Sequence, residues 1–150
     1  MDMNMFAFLT MLRYGEGTLG PNGYRTMFGG GLFGSFKDHP RKYIRRKSGA
    51  KYITSSAAGA YQFLVKTWDD CAATLDLPDF SPASQDRAAV YLIHRAGATT
   101  DVKAGRLDRA VKKCNRTWAS LPGSPYGQPV VTMEKVRELF KEFGGTELEG

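Results

Sequence analysis

The sequence predicts an α+β protein in which a small antiparallel β lobe is set against a mainly helical lobe, with a cleft between the two. Five segments repeat apolar side chains with the period of 3.6 residues that is typical of amphipathic helices. Between the first two lies a stretch, about residues 17–56, that is rich in glycine, aromatic and basic residues and lacks this period. A chain of 150 residues can bury one sizeable core. We therefore expect a single domain over residues 1–150, with the β-rich lobe of about residues 17–56 inserted in the helical lobe.

The five helical segments also carry start and stop signals at their ends. Proline favours the first turn of a helix, and glycine favours the position just after the last turn. In chain order the predicted helices are 5–12 with Asn4 as cap and Glu16 continuing the stripe, 61–75 opening near Gly59, 81–97 with Pro82 at its start, 107–118, and 132–143 with Thr132 as cap.

The stretch before the second helix contains short runs of β-branched and aromatic residues, which favour strands. The runs lie at 24–28, 43–44 and 52–54, and the pair Ser48-Gly49 predicts a turn between the last two. This stretch is too short for a separate core, so we expect a small antiparallel sheet within the one domain.

The net charge of +6 is concentrated in one segment. Residues 36–52 carry seven lysines and arginines against the single acid Asp38, so the net charge of this segment equals the net charge of the whole chain. Such a patch favours a polyanion, such as nucleic acid or cell-envelope polymers. A solvated surface hairpin is an equally good interpretation.

The two cysteines, Cys71 and Cys114, lie on predicted apolar stripes, far apart and without metal-ligand spacing. We expect buried free thiols, as in a reducing cytoplasm, and no metal or other cofactor. Residues 1–12 are apolar but begin with an acid and lack a small-residue cleavage site, so we interpret them as a mature helix and not as a signal peptide.

The strongest chemical signal lies at the end of the first helix. Glu16 continues the apolar stripe four residues after Leu12, and Gly17 follows directly. A carboxyl group at a boundary between core and loop is partly desolvated, which favours its neutral form and makes it a proton donor near neutral pH. An exposed glutamate at a helix end is the alternative interpretation.

A set of motifs in order along the chain gives a more specific indication. They are Met11-Leu12, Tyr14-Gly15-Glu16-Gly17-Thr18, Gly29-Gly30, Leu32-Phe33, Asp38-His39-Pro40-Arg41-Lys42, Gly59-Ala60-Tyr61-Gln62, Phe80-Ser81-Pro82-Ala83-Ser84-Gln85-Asp86, Trp118-Ala119-Ser120-Leu121-Pro122-Gly123 and Tyr126-Gly127-Gln128. With these motifs the chain resembles the bacteriophage lambda endolysin family, a lysozyme-like group of lytic transglycosylases, from about residue 6 to 145.

The resemblance implies a lysozyme-like fold and a peptidoglycan glycan strand as substrate. It implies that Glu16 is the catalytic acid and then the base, cleaving the β-1,4 bond between N-acetylmuramic acid and N-acetylglucosamine to leave a 1,6-anhydro end. Other transglycosylases have a serine after this glutamate, whereas Gly17 stands here, so no role for a serine hydroxyl is expected at that point.

The remaining candidate site residues are assigned to substrate binding. Gln62 belongs to the segment that the family places under the sugar, and Tyr126 in a Pro- and Gly-rich loop is a plausible stacking platform. Ser56 could instead cap the next helix. The full set is Tyr24, Ser55, Ser56, Tyr61, Gln62, Tyr126 and Gln128.

Two other functions stay open. A hydrolysing muramidase on the same fold would need a second carboxylate, and the candidates are Asp38, Asp69, Asp70 and Asp86. For Asp38, an ion pair with Arg41 is the simpler interpretation. Asp69 and Asp70 are both expected on a solvated helix face. A non-catalytic module could bind cell-wall polymers or nucleic acid through the basic segment.

The resemblance also gives expectations for partners and location. We expect a monomer that binds peptidoglycan, contacts the anionic cell envelope through residues 37–51 and binds no nucleic acid. It would accumulate in the host bacterial cytoplasm and act on the periplasmic cell wall after release.

Overall fold

The computed structural model describes residues 1–148, which fold as two compact units. One unit contains residues 1–16 together with the chain from residue 89 onwards, and the other contains residues 17–88. The elements in chain order are α1 Met3–Glu16, β1 Ile44–Ser48, β2 Lys51–Ser55, α2 Val65–Leu75, α3 Pro82–Arg95, α4 Thr99–Ala104, α5 Leu107–Cys114 and α6 Met133–Glu142. Helices with one small antiparallel sheet confirm the predicted α+β class.

The helical unit is built around α1, which contacts both α4 and α6. The predicted apolar stripe of α1 is buried, including Phe8 and Leu12. The expected cap is wrong, because the carboxylate of Asp2 accepts a hydrogen bond from the Met5 amide at 3.0 Å and the helix begins at Met3. Asn4 instead donates to the Lys103 carbonyl at 2.9 Å, which ties α1 to the end of α4.

The later helices agree with prediction at their starts and less well at their ends. Thr132 caps α6 as predicted, since its hydroxyl accepts from the Lys135 amide at 3.1 Å. The helix predicted at 107–118 ends at Cys114, and Trp118 is buried in the turn that follows. Helix α4 was not predicted, because six residues are too few to show a helical period.

The other unit contains the two-stranded sheet. Strands β1 and β2 pair antiparallel, from Ile44 opposite Ser55 to Ser48 opposite Lys51, and Gly49 has the positive φ of 62° that the predicted turn requires. The predicted strand at 24–28 is wrong. Residues 23–25 form one 3₁₀ turn, and the residues after it make only isolated bridges.

The segment before α2 was predicted to be helical from near Gly59, and this is wrong as well. Gly59 and Gln62 have φ values of 85° and 52°, in the left-handed region that a right-handed helix cannot contain. A Cβ at Gly59 would collide with the buried side chain of Gln85, whose amide oxygen accepts from the Ala60 amide at 2.9 Å. The close approach of this buried glutamine therefore decides the local backbone, and α2 begins at Val65.

Aromatic rings fill the interior of this unit. Phe80 packs against Trp68 with ring centroids 4.5 Å apart and against His39 at 5.0 Å. His39 is buried, with one ring nitrogen 2.8 Å from the Phe63 carbonyl and the other accepting from the Arg41 amide at 2.9 Å. Both polar atoms of this ring are thus occupied by backbone groups, which indicates a structural histidine.

Both cysteines are free and buried, as predicted. Burial raises the pKa of the Cys114 thiol to about 12, so it stays a protonated thiol at neutral pH. Among residues 1–148 no helix is long and apolar enough to cross a membrane.

A buried carboxylate at the start of α4 provides a test of the helical unit. Asp101 pairs with Arg106 at 3.0 Å and with Lys113 at 2.6 Å, and these hydrogen bonds lower its pKa. We expect Asp101→Asn to reduce the free energy of unfolding by roughly 2 kcal/mol at neutral pH, less than for a fully enclosed pair because Lys113 is partly exposed. Because the folded pKa is lowered, this stabilisation is present above the unfolded pKa of about 3.9 and is lost as the pH falls through the folded pKa.

The measurement is urea denaturation of the variant and the parent protein near neutral pH and at acidic pH. Asp108→Asn is the matched control, since Asp108 also pairs with an arginine, Arg137, but is exposed. The control should change stability by less than about 1 kcal/mol. If Asp101→Asn reduced the free energy of unfolding equally at both pH values, the stabilisation would not come from the ionised Asp101 carboxylate.

Candidate active site

Glu16 is the last residue of α1 and is only partly exposed. Leu12, one turn earlier, is fully buried, so the carboxyl group follows the apolar stripe as predicted. Gly17 has a φ of 73°, which ends the helix directly after the glutamate. The carboxyl group therefore stands where the core of the helical unit meets the following loop.

Two opposing causes set the protonation of this carboxyl group. Burial raises the pKa of Glu16 above its ordinary value, and this is the larger effect. The nearby Ser120 hydroxyl acts in the opposite direction, because a hydroxyl donor stabilises the carboxylate. Among residues 1–148 the buried Ser120 oxygen makes no hydrogen bond of full geometry, so it acts on Glu16 as a close polar neighbour. The net result is an acid that holds its proton to higher pH than an exposed glutamate.

The loop that carries Ser120 is packed tightly against the last turn of α1. A Cβ at Gly15 would lie 2.6 Å from the Ser120 hydroxyl oxygen, so any larger residue at position 15 would displace the Ser120 side chain. Ser120 is 8% exposed, and its carbonyl accepts from the Val131 amide at 2.7 Å. Sequence reasoning missed Ser120, since nothing in the sequence brings a residue more than a hundred positions away to Glu16.

A shallow groove of about 490 Å³ opens beside these residues. Tyr14, Gly15 and Ser120 line it together with residues 129–132 and Lys135. The Lys135 ammonium lies 5.4 Å from the centre of the Tyr14 ring, which is partly exposed. The groove thus offers an aromatic face, a cation and apolar side chains next to the end of α1.

The predicted residues Tyr126 and Gln128 also belong to the helical unit and are exposed. The Tyr126 hydroxyl donates to the Arg116 carbonyl at 2.7 Å, which fixes one end of the ring and leaves the ring exposed. This arrangement is compatible with the predicted stacking platform.

In the other unit the structure brings Tyr24 and Tyr61 together. Both hydroxyls donate to the same carboxylate oxygen of Asp86, at 2.8 Å and 2.7 Å, and the rings meet edge to face with centroids 6.4 Å apart. Burial, followed by the negative charge of Asp86, raises the pKa of the Tyr61 hydroxyl. The sequence analysis considered Asp86 only as a candidate second carboxylate, and its distance along the chain from either tyrosine gave no signal for this cluster.

The other predicted polar residues of this unit make hydrogen bonds with backbone groups of the same unit. The Gln62 amide nitrogen donates to the Thr26 carbonyl at 3.0 Å and to the Gly59 carbonyl at 2.8 Å. The Ser55 hydroxyl accepts from the Ala57 amide at 3.1 Å. The Ser56 hydroxyl accepts from the amide of Val65, the first residue of α2, also at 3.1 Å, which agrees with the capping alternative. These contacts hold the segment before α2 in its irregular path.

Two of the four carboxylates considered as a second acid pair with the same arginine, whereas Asp70 is exposed on α2. Asp38 pairs with Arg41 at 2.7 Å, as expected, but Asp69 is not simply solvated because it contacts the same guanidinium at 2.6 Å. These hydrogen bonds lower the pKa of both carboxyl groups, so both are ionised at neutral pH. Within residues 1–148 no group of three histidine, cysteine, aspartate or glutamate side chains could hold a metal ion.

The model of the family described as Endolysin matches residues 6–147. The chain belongs to the endolysin family. It is 40% identical to the endolysin of Escherichia phage P2 over 95% of this chain and 93% of that protein. It is also 40% identical to the endolysin of Escherichia phage lambda over 93% of this chain and 90% of that one. The predicted family is thereby confirmed.

The solved structures extend the likeness to the fold. A bacteriophage lambda lysozyme complexed with a chitohexasaccharide superposes with a TM-score of 0.91 at 37% identity, covering 99% of this chain and 98% of that one. A region comprising 41% of this endolysin is also 43% identical to 30% of the probable transglycosylase SceD of Staphylococcus aureus. The lysozyme-like fold predicted from the motifs is confirmed.

The contact between Ser120 and Glu16 leads to a specific prediction. We expect Ser120→Ala to raise the pKa of Glu16 further, because the variant keeps the burial and loses the donor that stabilises the carboxylate. Following the side-chain carboxyl carbon of Glu16 by NMR during a pH titration measures this shift directly.

Ser124→Ala is the matched control, since Ser124 is another hydroxyl of the same loop whose oxygen is buried. The control should leave the pKa of Glu16 unchanged. A Glu16 pKa that stays constant or falls in Ser120→Ala would show that the hydroxyl does not stabilise the carboxylate.

Proposed function

We propose that this endolysin is a peptidoglycan-degrading lytic transglycosylase in which Glu16 acts first as general acid and then as general base. The observation that carries the proposal is the partly buried carboxyl group at the end of α1, whose pKa is raised by burial. Membership of the endolysin family and the similarity to a probable transglycosylase support the reaction class.

The reaction needs one carboxyl group and consumes no water. Protonated Glu16 gives its proton to the oxygen that joins N-acetylmuramic acid to N-acetylglucosamine, and the bond from that oxygen to the muramic C1 breaks. The acetamido group of the substrate stabilises the positive charge at C1. The Glu16 carboxylate then takes the proton of the muramic C6 hydroxyl while the C6 oxygen bonds to C1, which closes the 1,6-anhydro ring and restores the protonated acid.

The two causes acting on Glu16 suit the two halves of this reaction. Burial favours the neutral acid that must donate a proton first. The Ser120 hydroxyl can donate to the carboxylate that exists between the two proton transfers. Ser120 is in this account a positioning residue, since it acts through Glu16.

The glycan strand is proposed to contact the residues that the sequence assigned to binding. The chitohexasaccharide complex of the related lambda lysozyme supports a glycan ligand for this chain. Tyr24, which is half-buried and is oriented by Asp86, would present its ring edge to the sugar. Tyr61 is 3% exposed and would support this position from within the core, through the same Asp86 carboxylate. Exposed Tyr126 and Gln128 would act from the helical unit, and Ser55, Ser56 and Gln62 would shape the backbone on which the sugar lies.

A hydrolysing muramidase is the second candidate, and it needs a further carboxylate to activate water or the intermediate. Asp38 and Asp69 share the guanidinium of Arg41, and Asp86 accepts from two tyrosine hydroxyls. Each of these acids has a structural partner already. The single-acid reaction therefore fits the described residues better.

The endolysin relatives place this chain among proteins that act on the cell wall. We propose in addition that it accumulates in the host cytoplasm and reaches the periplasmic wall on release. It would act as a monomer within a single domain, without a cofactor and without binding nucleic acid.

Replacing Glu16 tests the function directly. We expect Glu16→Gln to lower the rate of peptidoglycan cleavage by about 10²- to 10⁴-fold, because an amide cannot supply the proton. Purified sacculi digested by the parent protein should yield muramic ends that are lighter by one water than hydrated reducing ends, as measured by mass spectrometry.

Glu134→Gln is the control, since Glu134 is an exposed glutamate in the first turn of α6. It should cleave at the parent rate. Hydrated ends alone would identify a hydrolase, and full activity of Glu16→Gln would exclude Glu16 as the acid.

A further inference from the structure

The hairpin formed by β1 and β2 is exposed along nearly its whole length. Cross-strand partners point to the same face of a sheet, and Arg45 is paired with Thr54 while Lys47 is paired with Tyr52. These four residues therefore form one face, which is called the cationic face below.

The opposite face of the hairpin is anchored within its own unit. The Arg46 guanidinium donates to the Gly29 carbonyl at 3.0 Å, and a Cβ at Gly29 would collide with the Arg46 side chain. This contact holds the hairpin by one face. It leaves the cationic face directed away from the Gly29 loop.

The charges of the hairpin are not neutralised. Among residues 1–148 no carboxylate pairs with Lys42, Arg45, Lys47 or Lys51, whereas the one acid of the segment, Asp38, is already paired with Arg41. The Arg45 guanidinium lies 3.9 Å from the centre of the Tyr52 ring. A guanidinium held over a ring keeps its in-plane N–H groups free, and these match two oxygens of a phosphate.

Two exposed tyrosines accompany these charges. Tyr43 is 68% exposed and Tyr52 57%. Amphipathic tyrosines beside lysine and arginine are typical of segments that settle at the interface of a bilayer, where the ring meets the head-group region and the cation meets phosphate.

We propose that the cationic face binds the phosphate groups of an anionic phospholipid bilayer. Arg45 and Lys47 supply the attraction from this face, and Tyr43 and Tyr52 enter the head-group region. Lys51 pairs with Ser48 on the other face and adds charge from the exposed turn end of the hairpin. A five-residue strand pair is about 16 Å long and lies flat on such a surface. The binding proposed for this face does not depend on the reaction proposed for Glu16.

The test is sedimentation of the full chain with vesicles of phosphatidylcholine mixed with phosphatidylglycerol, compared with phosphatidylcholine alone. We expect binding to the anionic vesicles that weakens as salt increases. The triple variant Arg45→Gln, Lys47→Gln, Lys51→Gln should bind about a hundredfold more weakly, which is about fivefold for each charge removed near an anionic surface.

The matched control is Lys103→Gln, Arg109→Gln, Lys112→Gln, which removes the same charge from exposed positions of the helical unit. If both triple variants lose binding equally, overall charge and not the cationic face is responsible, and the proposal is overturned. Tyr52→Ala removes no charge and should also weaken binding to the vesicles. Urea denaturation of every variant verifies that each is folded.

Two further outcomes would overturn the proposal. One is the absence of binding to anionic vesicles even at low salt. The other is preference for nucleic acid, seen as a DNA oligonucleotide that displaces the protein from vesicles and loses affinity for the hairpin triple variant. Binding to anionic vesicles that the oligonucleotide does not displace supports the lipid assignment.

Discussion

The reaction proposed for this endolysin depends on how little water reaches one carboxyl group. Glu16 is the last residue of α1, Leu12 one turn earlier is fully buried, and Gly17 ends the helix directly after the glutamate. Burial stabilises the protonated form, and the Ser120 hydroxyl stabilises the ionised form to a smaller extent. In the proposed reaction Glu16 must first release a proton and then recover one, which requires both forms to be accessible, and burial together with the nearby Ser120 hydroxyl provides that balance.

The surrounding structure serves to hold polar groups in fixed places. Gly15 lets the Ser120 side chain approach the last turn of α1, since a Cβ at this position would lie 2.6 Å from the Ser120 hydroxyl oxygen. In the other unit Asp86 accepts hydrogen bonds from two tyrosine hydroxyls. Gln85 beside it is fully buried and makes hydrogen bonds with three backbone groups. Buried polar groups that satisfy one another in this way specify one conformation, since any rearrangement leaves a donor or acceptor without a partner.

The sequence predicts what local periodicity and recurrent motifs can encode. The burial of the α1 stripe, the Thr132 cap, the turn at Gly49 and the partly buried Glu16 all follow from residues close together in the chain. The errors arise where distant residues decide. The path at Gly59 is set by Gln85, and the strand expected at 24–28 is replaced by a 3₁₀ turn with single bridges to distant segments. The partners of Glu16 and of the two tyrosines, Ser120 and Asp86, could not be found from the sequence for the same reason.

The pH dependence of the stability difference between Glu16→Gln and the parent protein tests the central claim most directly. A carboxyl group whose pKa is raised by folding destabilises the folded state as the pH rises from the unfolded pKa through the folded one, whereas glutamine does not titrate. The account predicts that the variant gains stability relative to the parent over this range, by about 1.4 kcal/mol for each unit by which the pKa is raised. A difference that does not change with pH, or that changes in the opposite direction, would contradict it.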